Sequence, residues 1–184
     1  MRQWIHIGNV NQVRAPVFVH WSVLVVVVAL GLLSLRSPVY AALAIGCYFA
    51  VIAIHEIGHA LVARRLGYDV VAIRIGVIHG RCVVEAPETE WEEVLISWGG
   101  VLAQVCVAAA VLIVAKLVDG LRLPYFGLAV VFLGYLNVFV AVINLAPGPG
   151  MDGETAWKIV PLSWRHWRAN RATKRALRSI ARRR

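Results

Sequence analysis

Residues 54–60 read Ile54-His55-Glu56-Ile57-Gly58-His59-Ala60 and lie inside one of the most apolar parts of the chain. A charged side chain at the centre of a membrane helix costs about 2.5–3.5 kcal/mol on insertion scales, so three ionisable groups together in such a run call for a function. At helical spacing His55 and His59 fall one turn apart on one face, where two imidazoles can converge on a single metal ion with Glu56 beside them. His-Glu-x-x-His is a zinc hydrolase pattern. Imidazole suits Zn2+, a catalytic site keeps one position open for water, and an adjacent carboxylate can accept that water's proton.

The apolar run that carries this motif covers residues 39–63 and stops at Arg64-Arg65. Three others, 17–35, 94–118 and 125–146, are also long enough to span a bilayer, which takes about 20 residues. The first exceeds the 7–15 residue apolar core of a signal peptide and is read as a retained span. Hydrophobic residues make up 60% of the 184, well above the roughly 45–50% of soluble domains, so this is a membrane chain. The expected architecture is an all-α membrane protein with four transmembrane helices, a small cytosolic β-hairpin and a broken fourth helix. A core of residues 1–163 would be followed by a basic tail, 164–184.

Arg2, Arg14, Arg64, Arg65, Arg74, Arg81 and the C-terminal cluster would fall on one side of the membrane, against Arg36, Lys116 and Arg122 on the other. The positive-inside rule then places both termini in the cytosol, and His59 about 8 Å inside the cytosolic end of its helix. The formal net charge of +9 is explained by this rule and by anionic lipid, and does not require nucleic acid.

Residues 70–78 and 81–84 are β-branched and separated by His79-Gly80, which predicts a hairpin. It reads equally as a simple connector and as an edge strand able to pair with an extended peptide. Ser97, Gly99, Gly100 and Ala103 form a small-residue packing face around Gln104, and Asn137 suits an interhelical hydrogen bond. His20 fits an interfacial position beside Trp21, while Cys47, Cys82 and Cys106 are isolated packing residues.

Residues 144–153, Asn-Leu-Ala-Pro-Gly-Pro-Gly-Met-Asp-Gly, cannot continue a helix, because Pro147 and Pro149 lack donors and Gly148 and Gly150 loosen the backbone. Broken backbone at membrane depth must be enclosed by protein or line a cavity. Asp152 is thereby carried back to the level of His55 and His59, giving two imidazoles and one carboxylate with a fourth position open.

These two motifs resemble those of the site-2 protease family of intramembrane zinc metalloproteases: His-Glu-x-x-His on one core helix and Asn-x-x-Pro-x-x-x-x-Asp-Gly two helices later, here Asn144, Pro147, Asp152 and Gly153. The resemblance covers residues 17–160. It implies Zn2+ held by His55, His59 and Asp152, Glu56 as general base, and Asn144 as a polar contact to the substrate or its oxyanion. It also implies a single-span membrane protein as substrate, a regulator or a signal-peptide remnant, and a prokaryotic inner membrane as location. Gly99-Gly100 matches the family's Gly-rich stretch, whereas Glu154, Val101 and Gln104 depart from its pattern.

Two other functions fit the composition: a protease-like binding protein that holds clients without cutting them, and a metal- or haem-binding bundle using His20 and His55. In the tail, Arg168, Arg171, Arg175, Arg178 and Arg182 alternate with Ala169, Ala172, Ala176 and Ile180, the pattern of a surface helix on anionic lipid. Disorder or a soluble partner is the other reading of that segment. The sequence carries no information on the oligomeric state.

Overall fold

A computed structural model describes residues 3–34 and 36–181. Strands β1 (Trp4–Val10) and β2 (Ala15–His20) lead into helix α1 (Trp21–Leu33) and then α2 (Pro38–Arg65). Strands β3 (Val70–Ile75) and β4 (Gly80–Val84) follow, then α3 (Glu90–Leu117), α4 (Pro124–Asn144), the short α5 (Asp152–Ala156) and α6 (Ile159–Ala181).

Among the described residues three helices, not four, are long and apolar enough to cross a membrane: α2, α3 and α4. The run expected to span as residues 17–35 divides at His20. Its first part is extended because it pairs with β1 on one side and β3 on the other. His20 then caps α1, its Nδ1 accepting from the Ser22 amide, and the helix that follows has 13 residues. At 1.5 Å per residue it is about 20 Å long, short of a bilayer core of about 30 Å.

The predicted hairpin forms as β3 and β4 but is half of a four-stranded sheet, ordered β1-β2-β3-β4, with a parallel pair in the middle. One face of the sheet is apolar. Val17, Ile73 and Ile75 pack there with Ile52, Ala60 and Ala63 of α2.

Helix α2 begins with Pro38 in its first turn, where the missing N–H costs nothing, and ends before Gly67, whose φ of 97° stops the helix. Helix α3 opens with a capping box between Thr89 and Glu92. The two cross at backbone contact. A Cβ on Gly99 would stand 2.7 Å from the Gly58 carbonyl oxygen and 2.8 Å from Val62 Cγ2, so only glycine allows this approach.

Residues Val130–Leu136 of α4 are wound as a π-helix. Asn137, fully buried at the end of that segment, donates from Nδ2 to the Leu133 carbonyl (3.2 Å) and the Gln104 carbonyl (3.0 Å), the interhelical role its sequence position suggested. Helix α4 ends at Asn144, and the break falls where Pro147 and Pro149 predict it. Gly150, at φ 79°, turns the chain. Gly153 then sits against the carbonyls of Leu145 and Ala146. Trp157 Nε1 donates to Leu145 O (2.7 Å) and Trp98 Nε1 to Ala156 O (3.1 Å), pinning α5 beneath α4. The tail is helical in α6, which runs across residues 163 and 164; Arg182 lies outside the described residues.

Candidate metal centre

His55 and His59 lie on the buried face of α2, with 8% and 7% of their surface exposed, and Asp152 opens α5. Asp152 Oδ2 is 2.9 Å from His55 Nε2 and 3.3 Å from His59 Nε2, and the two Nε2 atoms are 3.0 Å apart. Tetrahedral donors at about 2.0–2.1 Å from a zinc ion are spaced about 3.3 Å from one another. The triangle therefore has the dimensions of three corners of a zinc site.

The far sides of the rings fix what occupies the triangle. His59 Nδ1 donates to the Ile96 carbonyl (2.7 Å), since a carbonyl can only accept. His55 Nδ1 donates to Gln104 Oε1 (3.0 Å). With both neutral rings protonated at Nδ1, both Nε2 atoms present lone pairs to Asp152 Oδ2, itself buried with no hydrogen-bond partner. Three converging acceptors are satisfied by a cation, and the two-imidazole, one-carboxylate set fits Zn2+. Protons compete for the same lone pairs. Burial raises the Asp152 carboxyl, but imidazoles that take up a proton on Nε2 donate to it, outweigh burial and hold it well below the usual carboxylate range.

Gly100 makes room for the rings: a Cβ there would stand 2.6 Å from His59 Nε2 and 2.7 Å from His55 Cε1. The backbone contact between α2 and α3 thus also clears the space under the site.

Glu56, 4% exposed, lies in the same cavity of about 540 Å3, between the two histidines and strand β4. Gly80 of β4 packs directly on its carboxylate. Asn144 Nδ2 lies 3.4 Å from both His55 ring nitrogens. The cavity wall between Gly80 and Val84 is the outer edge of the sheet. The hairpin is closed by Gly76 N–H donating to His79 O (3.0 Å), so the alternation of an antiparallel ladder leaves the backbone groups of Gly80 and Cys82 pointing away from β3. Burial pushes the Cys82 thiol up to about 12, with the Glu56 carboxylate adding to it, so this thiol is inert.

All five residues singled out in the sequence, His55, Glu56, His59, Asn144 and Asp152, meet in one cavity. Gln104 was legible only as a polar side chain on a packing face, yet it is fully buried and orients His55. His20 lines a different cavity from His55, with its Nδ1 2.6 Å from Ser22 Oγ.

No family model matches the chain. The chain superposes on the Site-2 Protease from Methanocaldococcus jannaschii with a TM-score of 0.66 and 22% identity, covering 85% of this chain and 71% of that one. The chain therefore has the site-2 protease fold. Over 114 residues, 61% of its length, it is 30% identical to the "Putative zinc metalloprotease sll0528" of Synechocystis sp., of which it spans 29%. Both likenesses agree with the resemblance carried by the two motifs.

Proposed function

We propose that the protein is an intramembrane zinc endopeptidase that cuts a peptide bond within or near the transmembrane segment of a single-span membrane protein. A membrane-bound regulator or a signal-peptide remnant is the substrate class this reading favours. The observation that carries it is the convergence of His55 Nε2, His59 Nε2 and Asp152 Oδ2 in one cavity with Glu56.

His55, His59 and Asp152 would hold the ion. When bound, zinc supplies a Lewis acid and lowers the pKa of water to near neutrality. Glu56 takes the proton of the attacking water as its oxygen bonds to the scissile carbonyl carbon. It then delivers that proton to the amine nitrogen as the C–N bond breaks. Asn144 donates to the substrate carbonyl. A helical substrate hides its carbonyls in its own hydrogen bonds, so it must be cut extended, and the outer edge of β4 at Gly80 offers it a strand to pair with. The site lies near the cytosolic face of a prokaryotic inner membrane.

The test is elemental analysis joined to a cleavage assay on single-span membrane proteins. Wild type should carry one zinc per chain and cut. Glu56→Gln should keep the zinc and lose at least about 100-fold in turnover. Full proteolysis by that variant would overturn the mechanism, and iron in place of zinc would overturn the metal.

A further inference from the structure

Behind the hairpin tip lies a second cavity of about 440 Å3, which shares the hairpin residues Ile78, His79, Gly80 and Arg81 with the metal-centre cavity and opens on the other side of them toward β1 and α1. Its polar lining comes from Trp4, His20, Ser22, Arg74, His79 and Arg81. Arg74 and Arg81 are exposed and directly opposite each other across β3 and β4. Like charges at paired positions of a sheet repel, and an anion between them would relieve the pair. No acidic side chain pairs with either arginine among the described residues, and no acidic residue precedes Glu56 in the whole chain. The two strands that complete this face therefore bring imidazoles and aromatics but no carboxylate. Trp4 stands edge-on to His20 with ring centroids 5.1 Å apart, and Arg74 lies 5.6 Å from the centre of the Trp4 ring.

Position decides which anion belongs there. The cavity opens at the foot of α1, where His20 caps the helix and Trp21 begins it. Above that point Leu24, Val25 and Val28 are each more than half exposed, so this side of α1 is a surface for acyl chains. The cationic cavity then lies at the level of the headgroups, with Trp21 at the interface, a usual place for tryptophan.

We propose that this cavity binds the phosphate of an anionic phospholipid, with Arg74 and Arg81 on the phosphate oxygens and its acyl chains along α1. The site is separate from the basic tail, and the proposal does not depend on peptidase activity.

The experiment is native mass spectrometry of the full protein released from bilayers of phosphatidylcholine and phosphatidylglycerol. Wild type should retain one phosphatidylglycerol in preference to phosphatidylcholine. The double variant Arg74→Gln/Arg81→Gln should lose that preference by about thirtyfold, two surface arginines at about 1 kcal/mol each. Arg168→Gln/Arg171→Gln in the tail should keep it. An unchanged preference in the first variant, or its loss in the second alone, would overturn the proposal. Millimolar inorganic phosphate should not displace the lipid; if it does, the site serves a free oxyanion and the lipid assignment fails. Displacement by an acidic peptide but not by excess phosphatidylglycerol would likewise overturn it. Both arginines are exposed, and an unchanged unfolding temperature in Arg74→Gln/Arg81→Gln would confirm that the loss is one of binding.

Discussion

Gly100 lies so close beneath His59 that a methyl group on it would stand 2.6 Å from His59 Nε2. The ring cannot swing away, because its Nδ1 is held by the Ile96 carbonyl at 2.7 Å. Gly100→Ala should therefore weaken zinc binding by about 100-fold or more while leaving the spans inserted. Zinc content after dialysis, beside a protease-protection assay of topology, checks this.

Gly80 makes the complementary case. A Cβ there would meet Glu56 and neither histidine ranks among its nearest neighbours. Gly80→Ala should retain zinc but lower turnover by about 100-fold, the cost of misplacing a reacting group by about an ångström. Zinc analysis and single-turnover cleavage on the same preparation separate it from Gly100→Ala.

Gln104 is a positioning residue. Its Oε1 fixes the His55 tautomer, so Gln104→Leu, similar in size but unable to accept, should reduce zinc affinity by about 10–100-fold. Gln104→Glu keeps an acceptor at that position and should restore most of it. Chelator competition gives both numbers; equal losses in the two variants would make the residue merely a packing element.

Zinc and protons compete for the Nε2 lone pairs of His55 and His59, whereas Asp152 is held below its ordinary range and stays ionised through neutral and mildly acidic pH. Zinc affinity should fall as the pH is lowered below neutrality, with protons released on binding. Calorimetry at pH 6 in two buffers of different ionisation enthalpy measures the release. An affinity flat from pH 7.5 to 5.5 would exclude imidazole ligation.

Much of the centre was legible because its chemistry is expensive to bury. His55, Glu56 and His59 stood out against their apolar neighbours, and Pro147 and Pro149 announced the break that carries Asp152 inward. The first strands were not legible. Val17 and Val19 suit a strand as well as a buried helix, and the apolar run continues past His20 without a Gly or Pro to mark the change. Pairing with β1 and β3 decides their conformation, and that information is not local. The π-helical turn at Val130–Leu136 likewise carries no local mark, and Gly134 within it packs against Leu112, 22 residues earlier. Gln104 looked like a packing residue because nothing in its neighbours refers to a histidine 49 residues away.

The donors of the metal centre are divided along the chain: two come from α2 and the third lies beyond the end of α4. During synthesis, a nascent chain whose last span has not yet left the ribosome holds two imidazoles and a carboxylate base but no complete donor set. On the peptidase reading, hydrolytic competence would be tied to the arrival of Asp152 after the last span, and a chain truncated before it would lack the third donor.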